Sequence, residues 1–282
     1  MLDLEQVIQS SEHLTPLPES AARLAALLGD DGWTLEDVAD VVKLDGPLVA
    51  QVLRRANSAA NAGLARSISI DSALMRLGPG AILSLAVGSA TKKDLDCPLP
   101  VYHLNEGELW RHSATAALAI EVAARRLRIK TSPEAYAAAL LHDIGKLILG
   151  RFLDGSDQGF VERARSEGGL ELANAEMEIL DVHHGEVGAL MARHWGLPEG
   201  IVAGIEFHHE PDQAPVEFGM LCTEVALADQ IASHIGAKDG DEKGDVDFEP
   251  QVLERLSIDR SQLDSVCEEV LEKLEEVMER YE

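Results

Sequence analysis

Apolar side chains recur at helical spacing along most of this chain. In the segment "LTPLPESAARLAALLG", Leu17, Ala21, Leu24 and Leu28 fall on one side of a helix, because residues three or four apart share a helical face. The segments between residues 34 and 93 repeat this spacing, and Gly-Pro steps divide them into short helices. No segment shows the alternation of apolar and polar residues that is typical of a strand. The pattern therefore predicts an all-α fold.

The same pattern divides the chain into three parts. Residues 1–95 form an N-terminal helical subdomain of short elements that ends near the "DLDCPLP" turn. In residues 96–237 the helices lengthen and histidines accumulate, so this part is interpreted as the helical core. Residues 238–282 begin with a glycine- and charge-rich linker and end in an amphipathic helix, which we expect to dock on the body or on a second subunit. The apolar side of that helix carries Leu263, Val266, Val270, Leu274 and Val277.

Composition supports packed helices and limits the functional classes. Hydrophobic residues make up 46% of the 282 positions but aromatic residues only 4%, a balance that favours packed helices over a β-sandwich. The formal net charge of −26 disfavours nucleic-acid binding, because contacts from Lys and Arg to phosphates dominate that affinity. Three scattered cysteines form no pair motif, and no apolar run reaches the length of a membrane span. We therefore expect a cytoplasmic protein without a membrane segment.

Histidines and carboxylates on apolar helix faces stand out against this core. Each of them alone is most simply a hydrogen-bonded core residue or a helix cap. Several buried imidazoles and carboxylates together would destabilise the fold unless they were paired or bound a cation. A shared divalent metal explains all of them, because neutral imidazole and ionised carboxylate are the groups that such an ion binds. The candidate residues are His112, His142, Asp143, His184, His208, His209 and Asp229.

These residues resemble a known signature. The order His112, His142–Asp143, Asp229 is similar to the H…HD…D pattern of the HD superfamily of metal-dependent phosphohydrolases. The segments "LTPLPES", "LDGPLVAQVLRRANSAAN", "ISIDSALMRLGPGAILSLAV" and "WGLPEGIVAGIEFHHEP" resemble the HDOD domain, the HD-related output domain of bacterial signalling proteins. The resemblance covers residues 12–235. "HHE" is followed by "PDQAPVEFG" instead of the Gly-Tyr-Pro segment of HD-GYP proteins, which argues against hydrolysis of cyclic di-GMP.

The resemblance implies an HD-type helical bundle with a site for one or two divalent transition ions (Fe, Mn, Zn, Ni or Co). In such a site, Asp143 would bridge two metal ions. Each ion would have three further ligands, namely His112, His142 and Asp229 for one and His184, His208 and His209 for the other.

Two further residues are candidates for the same site. Glu108 lies one turn before His112 and matches a position that supports a third metal in HD-GYP proteins. Lys146 lies one turn beyond His142 and would join Asp143 as a catalytic residue by stabilising charge on a phosphate. A cation at the C-terminus of a helix is favoured by the helix dipole, so a capping role explains Lys146 equally well.

The resemblance leaves two functions open. In one, the site hydrolyses a phosphoester or a nucleotide. In the other, the chain is a non-catalytic signalling module that binds a protein partner, and any metal is structural. Many HDOD domains have lost the metal ligands, whereas this sequence retains them. DNA binding through the N-terminal helices is a third interpretation, which the overall acidity disfavours. We also expect that the C-terminal helix forms a homodimer.

Overall fold

The computed structural model describes residues 17–29, 32–57, 69–152, 172–238 and 248–281. Within these ranges the regular structure is helical, apart from an isolated bridge between Leu99 and Leu104. The predicted all-α fold is therefore confirmed. The residues before Leu17 and most of the predicted linker lie outside the described ranges, as does the side chain of Val277.

Helices of 8 to 17 residues form the N-terminal part, and local capping explains several of their starts. Thr34 caps its helix through a reciprocal pair of hydrogen bonds with Asp37. The carboxylate of Asp45 accepts hydrogen bonds from the backbone N–H of Leu48 and from the hydroxyl of Ser20. The helices are α1 (Glu19–Gly29), α2 (Leu35–Lys43), α3 (Gly46–Ala56), α4 (Ile70–Leu77) and α5 (Pro79–Leu95).

Among the described residues, helices of 7 to 22 residues and two short 3-10 turns follow. The turns are Pro100–Tyr102 and Pro211–Gln213. The helices are α6 (Glu108–Leu127), α7 (Pro133–Leu141), α8 (Gly145–Phe152), α9 (Leu172–Leu180), α10 (His184–His194), α11 (Glu199–Glu206), α12 (Gly219–Lys238), α13 (Pro250–Leu256) and α14 (Arg260–Tyr281).

Helix α7 lies at the centre of the bundle. It packs against α5, α6, α11 and α12, and its residues from Ala137 to Leu141 are fully buried. Their short or compact side chains allow neighbouring helices to approach from several sides. Helix α7 ends at Leu141 inside the bundle, so the next two residues, His142 and Asp143, lie in the interior and not at the surface.

Helix α14 docks on the body of the same chain. Leu263, Val266, Val270 and Leu274 are buried, and the helix packs mainly against α6. The carboxylate of Glu269 pairs with the guanidinium groups of Arg125 and Arg126 on α6. One continuous cluster of buried apolar residues extends from α1 to α14, so the three predicted parts pack on a shared core.

Within the described ranges, no single helix has both the length and the apolar composition needed to cross a membrane. Helices α4 and α5 meet these requirements only when taken together, and a bend of 103° separates them.

Gly145 sets the spacing between α8 and α10. A Cβ atom at this position would overlap the carbonyl oxygen of His184 and would lie 2.8 Å from the backbone nitrogen of Gly188. Both obstacles are backbone atoms, which cannot move aside as a flexible side chain can. The two helices can therefore meet this closely only if residue 145 lacks a side chain.

We expect that Gly145→Ala lowers the free energy of unfolding by about 3 kcal/mol, the upper end of the usual range for overpacking. Urea unfolding of both proteins measures this difference. Gly236→Ala is the matched control, because Gly236 also lies in a helix and nothing surrounds its Cβ position within 4 Å. The control should be neutral or slightly stabilising. Equal effects of the two substitutions would show that α8 and α10 do not meet as described.

Glu224 is a buried carboxylate on the inner face of α12. It is 5% exposed, and its Oε2 atom has no hydrogen-bond partner among the described residues. Its neighbours in a small apolar pocket include Ile120, Ala123 and Leu227. Burial disfavours the charged form and raises the pKa of Glu224 to about 8.

This raised pKa predicts a pH-dependent stability. The folded protein holds the proton of Glu224 more tightly than the unfolded chain does, so stability should fall as the pH rises from about 4.5 to about 8. Glu224→Gln removes the ionisation and should reduce this fall. We expect similar urea midpoints for the two proteins at pH 5 and a higher midpoint for the variant at pH 8. A difference that is the same at both pH values would contradict this explanation.

Candidate metal centre

The first cluster of possible ligands joins three helices. His112 lies on α6, His142 ends α7, and Asp229 lies on α12. The Nε2 atom of His112 is 3.0 Å from Oδ1 of Asp229 and 3.1 Å from Nε2 of His142. Their ligand atoms all lie within 4.8 Å of one another. Three donor atoms converge on one small volume, as a metal site requires.

The second cluster consists of three histidines. His184 begins α10, whereas His208 and His209 follow the end of α11. Nε2 of His184 is 2.9 Å from Nε2 of His209 and 3.3 Å from Nε2 of His208. His184 and His208 are buried, and His209 is partly buried. The start of α10 and the end of α11 thus bring a second set of imidazole nitrogens together.

Asp143 lies between the two clusters. Its Oδ2 atom is 3.5 Å from Nε2 of His142 and 3.6 Å from Nε2 of His112. Its other oxygen, Oδ1, is 3.2 Å from Nε2 of His184. One carboxylate therefore faces both groups, with a different oxygen toward each.

Hydrogen bonds on the outer sides of the rings fix two tautomers. Nδ1 of His142 donates to the backbone carbonyl of Ala139, and Nδ1 of His208 donates to that of Ile205, both at 2.7 Å. A neutral imidazole that donates through Nδ1 has a lone pair on Nε2. The Nε2 lone pairs of these rings therefore point into the clusters. A metal ion held among them would accept these lone pairs, so the residues present fit a metal ion.

Burial keeps two imidazoles of the second cluster neutral. Burial and the neighbouring imidazoles lower the pKa of His209 to about 3 and hold that of His208 well below its usual value. Burial also lowers the pKa of His184, but the adjacent carboxylate of Glu176 outweighs it and raises that pKa to about 9. The surroundings of His184 thus favour positive charge at this point, from either a proton or a metal ion.

Lys146 contacts Asp143 directly. Its Nζ atom is 2.6 Å from Oδ2 of Asp143, and the side chain is 14% exposed. Burial would raise the pKa of Asp143, but the charge of Lys146 and the hydrogen bond with His184 oppose it, and the pKa is held well below its usual value. Because α7 ends at Leu141 and Lys146 lies in the first turn of α8, the interpretation of Lys146 as a C-terminal helix cap is wrong.

Glu176 and Tyr102 form a supporting layer that the sequence analysis missed. The carboxylate of Glu176 accepts hydrogen bonds from Nδ1 and from the backbone N–H of His184, both at 2.7 Å. The hydroxyl of Tyr102 donates to the other oxygen of Glu176 at 2.9 Å. All three residues are buried. Such carboxylate–histidine pairs orient metal ligands and raise their basicity.

Glu108 is not placed with the other candidates. Its carboxylate accepts hydrogen bonds from the backbone N–H of Asn105 at 2.6 Å and from the Asn105 side chain at 3.0 Å. It belongs to none of the clusters of possible ligands among the described residues. The structure therefore gives Glu108 a position at the start of α6 in place of the predicted ligand position.

Comparison with known proteins identifies the family. A sequence profile of the HDOD domain matches residues 14–211, which is more than half of the chain. The chain belongs to the HDOD family. The HDOD match includes His112, His142–Asp143, His184 and His208–His209. Asp229 and helices α13 and α14 lie beyond its end.

Solved structures show a similar fold. An HDOD domain protein of unknown function from Geobacter sulfurreducens is 23% identical, with a TM-score of 0.69 and 97% of each chain covered. A protein from Shewanella amazonensis SB2B with a provisional phosphohydrolase name is 25% identical, with a TM-score of 0.62 and coverage of 98% of this chain and 97% of that one. A sequence relative, an uncharacterized protein from Treponema pallidum (strain Nichols), is 23% identical over 224 residues. The match covers 77% of this chain but only 42% of the length of that relative.

Proposed function

We propose that this HDOD protein binds two divalent transition-metal ions and hydrolyses a phosphoester in a bacterial signalling system. The observation that carries the proposal is the placement of two ligand clusters around Asp143, with a different oxygen of its carboxylate toward each. The provisional phosphohydrolase name of the Shewanella protein is consistent with this activity. The ligands would be His112, His142 and Asp229 for one ion and His184, His208 and His209 for the other, with Asp143 shared.

The ligand set limits the choice of metal. Imidazole nitrogens dominate both clusters, and carboxylate oxygens complete them. This mixture suits Fe, Mn, Co, Ni or Zn better than Mg or Ca, which prefer sites made only of oxygen ligands. When bound, such ions lower the pKa of a water molecule and polarise the oxygens of a phosphoryl group.

The residues of the chain have separate roles in this proposal. Asp143 would bind both ions, one through each of its two oxygens, and would thereby fix the position of the two clusters relative to each other. Lys146 keeps Asp143 ionised, and its ammonium group has further N–H donors that can contact a phosphoryl oxygen. Glu176 and Tyr102 orient His184 from behind. The buried position of the clusters limits the access of bulk water.

The proposal is tested by turnover of metal-loaded protein on generic phosphomonoesters and phosphodiesters. The parent should be active after loading with at least one of Fe(II), Mn(II), Co(II), Ni(II) or Zn(II). Lys146→Met should lower kcat at least about 100-fold, the order expected when a charge-stabilising group is lost. A parent that binds two ions but hydrolyses none of these esters would reject the catalytic part of the proposal.

A second candidate function is a signalling module that binds a protein partner. Leu44 and Met75 favour it, because these large apolar side chains are 73% and 72% exposed in the N-terminal part. Lys43 on α2 and Asp71 on α4 form an ion pair 3.8 Å long beside them. Where such side chains form one continuous patch, they are typical of interaction surfaces. In this alternative the metal is structural, and its removal lowers stability without removing a turnover.

Cellular context completes the proposal. A phosphorylated small molecule or nucleotide would be the substrate, and a signalling protein would be the partner. We propose a cytoplasmic location for the HDOD protein. A homodimer through α14 is also proposed, and it would have to use the outer face of this helix, because the buried face already packs on its own chain.

A further inference from the structure

A polar pocket opens beside the second ligand cluster. Its volume is about 220 Å³, and His209 forms part of its wall. The rest of the wall comes from the turn that follows His209, from the first turns of α12, and from α13. Pockets for drug-sized ligands usually have volumes of about 300–1,000 Å³. This pocket is therefore sized for a small group, such as a sugar or a nucleoside.

Residues beyond the HDOD match build one side of this pocket. Arg255 on α13 donates from Nη1 to Oδ1 of Asp212 at 2.6 Å. The guanidinium lies against Gly219, where a Cβ atom would come within 2.8 Å of Nη2. Because Asp212 belongs to the 3-10 turn just after His208–His209, this contact connects α13 to the segment that carries two of the proposed ligands.

The lining of the pocket is rich in hydrogen-bond acceptors. The wall includes three acidic residues, Glu210, Asp212 and Glu249, but only one basic residue, Arg255, which pairs with Asp212. The amides of Gln213 and Gln251 add both donors and acceptors to the wall. Excess negative charge disfavours a second phosphate in the pocket, since like charges repel. Hydroxyl and amine groups, by contrast, would find several acceptors.

From these observations we propose that the pocket binds the non-phosphorylated part of a phosphomonoester, a neutral group that carries hydroxyls or amines. The inference rests on the proposed function, because it assumes that the phosphoryl group binds at the adjacent clusters. It narrows the substrate to molecules with one phosphate and one polar group, such as sugar phosphates or nucleoside monophosphates. Cyclic dinucleotides carry a second phosphate and do not fit. The C-terminal segment, through α13, then determines substrate selection.

The test combines a pocket variant with three classes of ester. Gln213→Ala/Gln251→Ala removes the two amides from the pocket wall and leaves the proposed metal ligands intact. Gln51→Ala is the matched control, because Gln51 lies on α3, away from the pocket. The substrates are sugar phosphates, nucleoside monophosphates and p-nitrophenyl phosphate. The nitrophenyl group of the last ester carries no hydroxyl or amine donor. Bound metal is measured in every protein by elemental analysis.

We expect the double variant to raise KM about tenfold for the preferred polar monoester, with kcat and metal content unchanged. KM for p-nitrophenyl phosphate should not change. Whether sugar phosphates or nucleoside monophosphates show the effect identifies the group that the pocket holds. Unchanged KM values for both polar classes in an active enzyme would overturn the pocket assignment and leave the proposed hydrolysis standing.

Binding measurements keep the assignment testable if no ester is hydrolysed. In that case the proposed catalysis fails, and calorimetry of the metal-loaded protein with the same polar monoesters decides about the pocket. Binding that weakens about tenfold in the double variant supports the pocket. Absence of binding, or equal binding by parent and variant, overturns it. Tighter binding of a cyclic dinucleotide than of any polar monoester also overturns it.

Discussion

Asp143→Asn is expected to remove metal from both clusters. The carboxylate faces His112 and His142 with one oxygen and His184 with the other. Asparagine has nearly the same shape but lacks the negative charge, so neither ion would keep its shared anionic ligand. Substitution of residues that hydrogen-bond a metal ligand without binding the metal lowers the affinity for the metal about 10–100-fold. Loss of a shared ligand should exceed that range, and elemental analysis after dialysis should find both clusters empty.

The same substitution has a second expected effect. Lys146 is paired with Asp143, and both side chains are largely buried. Removal of one partner from a buried ion pair leaves an uncompensated charge and costs about 3–5 kcal/mol. Asp143→Asn should therefore lower the urea midpoint as well as the metal content.

The matched control for both effects is Asp264→Asn. Asp264 is also paired with a basic residue, Arg260, but its side chain is 58% exposed. The control should retain all bound metal, and its stability should change by less than about 1 kcal/mol. Parent-level metal in Asp143→Asn would show that Asp143 is not a ligand.

Glu176→Gln is expected to remove one ion and retain the other. Glu176 accepts a hydrogen bond from Nδ1 of His184 and makes no described contact with His112, His142 or Asp229. A neutral glutamine side chain would make His184 a weaker ligand. The affinity of the second cluster should fall about 10–100-fold, whereas that of the first cluster should not change. Competition with a chelator, followed by elemental analysis, should then leave one ion per chain.

Two further variants test this positioning role. Tyr102→Phe keeps the carboxylate and removes only the hydrogen bond from the Tyr102 hydroxyl, so its effect should be smaller than that of Glu176→Gln. Glu186→Gln is the control, because Glu186 caps the start of the same helix without touching His184. Equal loss of both ions in Glu176→Gln, or an equal effect of Glu186→Gln, would contradict the separation of the two clusters.

Most of the fold could be predicted from the periodicity of the sequence. The apolar stripes follow from local rules, and so do the Thr34–Asp37 capping box and the start of α11 after Pro198. Such features depend on neighbours in sequence, which is why the sequence alone was sufficient.

The candidate ligands were recognisable for a related reason. Each is a polar group on an apolar helix face, and their order resembles a known signature. Glu108 shows the limit of that approach: spacing placed it one turn before His112, but hydrogen bonds with Asn105 direct its carboxylate elsewhere. Lys146 shows the same limit, because only the break between α7 and α8 decides which helix it belongs to.

Glu176 could have been found from the same kind of pattern. It lies between Leu172 and Leu180 at helical spacing, so the stripe on α9 carries a carboxylate just as the stripe on α12 carries Asp229. Its link to His184 spans eight residues, and Tyr102 is 74 residues away from Glu176. Contacts at such separations depend on tertiary packing, which periodicity does not describe.

The central claim is that acids and imidazoles from separate helices form a centre for two metal ions. Anomalous X-ray diffraction, recorded at the absorption edge of the metal present in crystals of protein purified without chelator, tests it most directly. The account predicts two anomalous peaks, separated by the carboxylate of Asp143. One peak should lie among His112, His142 and Asp229, and the other among His184, His208 and His209. Crystals of metal-repleted protein with no peak at either cluster would contradict the account.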